Sequence, residues 1–94
     1  MEAIVMTTHA KVRKQQRGIP KQVLDCLVQF GKASHDNRGG VVLYFDKRSK
    51  QRCLSVLGRD GYRKLEGHLD VYAVRGLDGV ILTVGHRSKK LHRA

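Results

Sequence analysis

The stretch "KQVLDCLVQFG", residues 21 to 31, decides how this chain folds. Val23, Leu24, Leu27 and Val28 recur at i, i+1, i+4 and i+5, which gathers four aliphatic side chains on one side of a helix. Pro20 stands where the first helical residue is expected, because its missing N–H costs nothing there. Gly31 closes the helix. A helix of this kind holds a core together, and the flanking sequence is read against it.

The preceding stretch, "THAKVRKQQRG" (residues 8 to 18), is its opposite. Thr7 and Thr8 both suit an N-cap, and Gly18 suits the residue after a helix end, so a helix is expected up to Arg17. Only Ala10 and Val12 could be buried along it. A helix in a compact domain normally carries an apolar stripe facing the core. This one carries a polar stripe, most of it cationic.

After Gly31 the period changes. "ASHDNRGG" (residues 33 to 40) reads as a turn-rich connection, and "VVLYF" (residues 41 to 45) as a β-branched and aromatic strand. "DKRSKQ" then reads as a polar turn, and "RCLSVLG" (residues 52 to 58) alternates like a strand. "RDGYRKLEGHL" fits either a short helical turn or an irregular loop. "DVYAVR" and "VILTVGH" are strands joined by "GLDG", a hairpin signature. The expected fold is α+β: two N-terminal helices packed on a four-stranded antiparallel sheet, in one domain spanning residues 1–94.

Ninety-four residues suffice for one modest core, mainly aliphatic because the chain has no Trp and five aromatic residues. No apolar run approaches the ~18–20 residues of a membrane span. The start "MEAIVMTTHAK" lacks a basic region followed by a long apolar stretch, so it does not read as a secretory signal. Cys26 and Cys53 belong to no C-x-x-C motif and read as reduced core residues of a cytoplasmic protein, with a disulfide between them left open by sequence. Lys and Arg number 19 against 8 acidic residues, a formal charge of +11. A small domain needs only about 2–8 charges to stay dispersed. The excess points to a polyanionic partner. Residues 9–24 and 84–94 hold cations and no acid, so the two ends read as basic blocks with the acids between them.

Two segments carry a family resemblance. His9-Ala10, Arg13 and Gln16-Arg17-Gly18-Ile19, ahead of a helix, resemble the opening of a family of small bacterial domains of unknown function. The closing "VGHRSKKLHR" (residues 84 to 93) is similar to the terminal strand of RelE-like toxins, where Gly-His-Arg follows an apolar strand. The resemblance implies the fold shared by barnase-like, colicin-like and RelE-like ribonucleases. It also implies membership of a group whose toxins cut RNA without a metal, alongside members with no demonstrated activity.

Metal-free RNA cleavage needs a base for the 2′-OH proton, an acid for the departing 5′-oxygen, and fixed cations for the charge that develops on phosphorus. Imidazole titrates near neutrality, and the guanidinium fork suits phosphate. His9, Arg13 and either Gln16 or Arg17 share one face of the first helix, making His9 a candidate proton carrier and the others candidate phosphate ligands. His86 and Arg87 follow the last strand, where alternation sends them to opposite faces unless the strand has ended. One of them, His86 as a proton carrier or Arg87 as a phosphate ligand, could point into the same cleft as the first helix, and Lys89, Lys90 or His92 could reach it from the tail, while His35 and His68 read as surface residues. Among the aromatic residues, Tyr62 in "RDGYRK" has a basic surround suited to RNA, whereas Tyr44 and Tyr72 read as half-buried strand residues. No His/Cys/Asp/Glu spacing resembles a zinc site and no Gly-containing segment a phosphate loop, so neither metal nor nucleotide cofactor is expected.

Two functions stand. The first is a metal-independent endoribonuclease, the toxin of a toxin–antitoxin pair, acting on free or ribosome-associated RNA and neutralised by an acidic antitoxin. The second is a non-catalytic module that binds RNA or an acidic protein through the same groups. Membrane-surface binding ranks behind both, because the basic first helix lacks the apolar face such helices insert.

Overall fold

A computed structural model describes residues 4–35 and 39–87 of the chain. The architecture is α+β: helices α1 (Thr8–Gln16) and α2 (Lys21–Phe30) precede strands β1 (Lys32–His35) and β2 (Val41–Tyr44). Helix α3 (Lys47–Leu65) with a 3-10 turn (Glu66–His68) follows, then strands β3 (Val71–Arg75) and β4 (Ile81–His86). The four strands form one antiparallel sheet in the order β1-β2-β3-β4.

Helix α2 buries Val23, Leu24, Cys26 and Leu27, the stripe its spacing encodes. They meet Val41, Leu43, Val71, Ala73, Ile81 and Val84 from the inner sheet face in one aliphatic cluster. Each fully buried Leu, Ile or Val contributes about 1.5–3 kcal/mol relative to exposure, so this layer accounts for most of the fold's cohesion. Pro20 is the N-cap of α2, one residue earlier than expected, with extended backbone (φ −65°, ψ 149°). Ile19 beside it is buried, so the link between the two helices is itself packed.

Helix α1 buries Ala10 alone, whose small side chain lets the helix lie close against β4. The Thr7 hydroxyl ties the two together: it accepts from the Ala10 N–H (3.1 Å) and donates to the Leu82 carbonyl (3.0 Å). Just before it, Met6 forms a parallel bridge to Ile81, so residues 5–7 cover the outer edge of β4. Gly18, at φ 62°, ends the helix in the left-handed conformation that glycine adopts at least cost.

Two expectations are corrected. Residues 52–58 are not a strand but the middle of α3. Their apparent alternation comes from a helix whose inward residues Ser49, Cys53 and Leu65 sit four and twelve positions apart, while Leu54, Ser55, Val56 and Leu57 are all exposed. Asp46 starts this helix by accepting from the Ser49 N–H (2.8 Å) and hydroxyl (2.6 Å). Gly58 kinks it at φ 76°, ψ 172°, a conformation close to glycine-only. The fourth strand is instead β1, inside the stretch read as a connection. Its four residues are all exposed, so it has no apolar alternation and exists through backbone pairing with β2. Helix α3 carries seven Lys and Arg against one Asp, so the middle of the chain is a third basic block.

Candidate nucleic-acid interface

Antiparallel pairing puts directly opposed residues on the same face of a sheet, with Cβ atoms about 4.5–5.5 Å apart. Lys32 is opposite Tyr44, Tyr44 opposite Tyr72, and Tyr72 opposite Gly85. These four residues form one row across all four strands, on the face turned away from the aliphatic core. Leu43 and Ala73, their neighbours in sequence, point the other way and are buried. Val42, Val74 and Thr83, half-buried, form the next row.

The row ends are shaped by what lacks bulk and what carries charge. A Cβ added at Gly85 would lie 2.9 Å from Cε1 of Tyr72, so the absent side chain is the space the Tyr72 ring occupies. Arg87 leaves β4 with its N–H bonded to the Asp70 carbonyl (2.9 Å) and reaches over Tyr44, its guanidinium carbon 4.4 Å from the ring centroid. A cation at that distance over a ring is held by the quadrupole, at about 0.5–1 kcal/mol when exposed. Two phenol rings, a guanidinium and the Lys32 ammonium therefore share one surface. Planar groups stack on such rings, and phosphates pair with such cations.

The residues singled out in sequence distribute unevenly over this surface. Arg87 belongs to it. His86, one residue earlier, is opposite Val71 on the inner face and is exposed at the strand end, so alternation separates the pair as expected. His9 is exposed at the start of α1, Arg13 is half-buried, and Gln16 and Arg17 are exposed at its end. The packing of α1 on β4 brings this helix alongside the strand that carries His86. Tyr62 is half-buried on α3 and packs against the core, and burial, with smaller effects of Glu66 and Cys53, raises its hydroxyl pKa above the ordinary value. Lys89, Lys90 and His92 lie outside the described residues. The tyrosine row went unread because each tyrosine taken alone looks like a strand residue. Only the register, which depends on β1 and on the α3 excursion, lines them up.

Two of the molecule's concavities bear on function. One, about 590 Å³ between α2 and α3, is lined mainly by apolar side chains including Ile4, Cys26, Val28, Leu57 and Leu65. Cys26 and Cys53 are free and buried in the same core cluster. Burial pushes both thiols up, Cys53 to about 12, which leaves them protonated and poor nucleophiles. The other, about 610 Å³ between the start of β1 and the start of α3, is lined by Lys32, Lys47, Arg48 and Arg52 together with Asp46. Among the described residues no three His, Cys, Asp or Glu side chains gather as a metal site requires, and no helix is long and apolar enough to cross a membrane. No known protein family, curated protein or solved structure matches the chain.

Proposed function

We propose that this domain binds single-stranded RNA across the open face of its sheet. The observation that carries the reading is the Lys32–Tyr44–Tyr72–Gly85 row with the Arg87 guanidinium 4.4 Å above Tyr44. Aromatic rings on an open surface offer stacking worth about 1–3 kcal/mol per base and tolerate sequence, because every base has a π-face. The formal charge of +11 supplies the long-range attraction that such a surface needs. An RNA duplex is a poorer fit, since its bases are stacked on one another and unavailable to tyrosine.

Cleavage is the second reading, and one observation favours it: α1, with His9 and Arg13, packs against the strand that ends in His86. Two imidazoles and a guanidinium near one strand could divide the roles of base, acid and phosphate clamp in a metal-free displacement at the 2′-OH. By register His86 faces the inner side of the sheet, whereas Arg87 and the tyrosines face the outer side. Cleavage thus requires the strand to pass over the β4 edge, and binding does not. A toxin held by an acidic antitoxin is the form this second reading takes.

One experiment addresses both. Labelled single-stranded RNA is titrated with the protein in chelator at several salt concentrations, and the RNA ends are then analysed. Binding predicts affinity that falls steeply with salt and is weakened on the order of tenfold to a hundredfold in Tyr44→Ala, with RNA intact. Cleavage adds 2′,3′-cyclic phosphate ends that disappear, by ~10²-fold or more, in His9→Ala or His86→Ala. No binding at any salt concentration overturns both readings.

A further inference from the structure

We propose that the cleft between β1 and the start of α3 is a second phosphate-binding site, which takes the backbone of the RNA strand lying on the tyrosine row. The inference rests on the sheet-face reading and extends it in one direction, past β1 rather than past β4.

Lys32, Lys47, Arg48 and Arg52 line one cleft, and none of them forms an ion pair among the described residues, where the ion pair is Lys21–Asp25 at 3.6 Å. Four cations around one concavity leave it net positive, and a bound polyanion relieves their mutual repulsion. The cleft also contains a carboxylate, Asp46. That carboxylate is engaged in capping α3, accepting from the Ser49 N–H and hydroxyl through one oxygen. The Ser49 amide is thus taken by Asp46, and the anion affinity proposed here is assigned to the four side chains rather than to the helix end.

What makes the cleft part of a track is Lys32. It lines the cleft and is also the cross-strand neighbour of Tyr44 in the row that ends at Gly85. At about 4.8 Å per strand, the row spans roughly 14 Å from β4 to β1. A strand stacked on the tyrosines and running toward β1 arrives at Lys32 and continues among Lys47, Arg48 and Arg52. Arginine there can fork onto phosphate, while lysine acts as a point charge. The site takes phosphodiester backbone without reading base identity.

Length dependence tests this. Single-stranded RNAs of about 4 and about 12 nucleotides, near the two ends of the usual range for such surfaces, are titrated against the wild type, Arg48→Gln/Arg52→Gln, and Asp46→Asn. Each phosphate contact contributes about 0.7 to the slope of log affinity against log salt for single strands. The double variant should flatten that slope by about 1.4 for the longer RNA and leave the shorter one unchanged. Asp46→Asn keeps a good cap and removes the one negative charge from the cleft, so it should tighten binding of the longer RNA only. An unchanged slope for the longer RNA, with the shorter still bound through Tyr44, overturns the cleft and leaves the sheet face standing. Failure of the wild type to bind either RNA overturns both. If polyglutamate displaces the longer RNA as effectively as unlabelled RNA does, the cleft is a site for acidic protein and the assignment to nucleic acid fails.

Discussion

The two faces of the sheet are made by the same strands and do unlike work. On β2, Leu43 turns inward and is 2% exposed, while Tyr44 turns outward beneath the Arg87 guanidinium. The inner face is aliphatic and covered by the helices. The outer face has two tyrosines, a Lys and an Arg, and both tyrosines there are half-buried. A side chain sealed on all sides contributes to stability, whereas one left half in water is available to a partner. Alternation along a strand separates the two roles by one residue.

Substituting adjacent residues breaks this contrast most sharply. Leu43→Ala should cost about 2–5 kcal/mol, measured as a fall in the urea midpoint, because it opens a cavity in the aliphatic layer. RNA affinity of the fraction that remains folded should be unchanged. Tyr44→Ala should cost under about 1 kcal/mol of stability, the scale of the cation–π contact it removes. It should weaken RNA binding on the order of tenfold to a hundredfold. Equal effects of the two substitutions on both measurements would mean that the outer face is no more than a solvated sheet surface.

The inner face was legible in the sequence and the outer one was not. Val23, Leu24, Leu27 and Val28 announce α2 by period alone, and "VVLYF", "DVYAVR" and "VILTVGH" announce three of the four strands. The fourth was invisible because Lys32–His35 bury nothing, so no hydrophobic pattern marks them. "RCLSVLG" misled because a short apolar run suits strand or helix equally. The cap that decides it, Asp46 on Ser49, lies six residues upstream in a segment that also reads as a turn. With β1 missed and a false strand between β2 and β3, no register could place Tyr44 beside Tyr72. The site is a product of pairing, which periodicity does not encode.

Gly85→Ala sharpens the comparison at smaller amplitude. The new methyl would meet Cε1 of Tyr72 at 2.9 Å, close enough that the ring must move, and Cζ and Oη at 3.1 Å put the far half of the ring in its way. That half belongs to a side chain that can rotate, so stability should fall by only about 1 kcal/mol. If the tyrosines form a stacking row, RNA affinity should fall nonetheless, because the Tyr72 ring is displaced from its place over Gly85. Unchanged affinity would confine the binding contribution to Tyr44 and Arg87.

The last expected effect concerns the corner where the two faces meet, and it is read as a change with pH. Asp46 follows the end of β2 and caps α3, and its pKa is held below the ordinary 3.8 first by the Ser49 hydroxyl and then by the Ser49 N–H. A carboxyl with a depressed folded-state pKa stabilises the protein fully above its unfolded value and loses that contribution as pH falls through the folded one. Asp46→Ala should therefore cost about 0.5–2 kcal/mol at neutral pH, the usual worth of an N-cap. The gap between wild type and variant should close as pH drops from above about 4 to below the folded value. Urea unfolding of both proteins across that range measures the gap directly. A gap that stays constant with pH would place the stabilisation in packing around Ser49 rather than in the charged cap. In that case Asp46 would be free to oppose an anion in the neighbouring cleft, and Asp46→Asn would have its largest effect there.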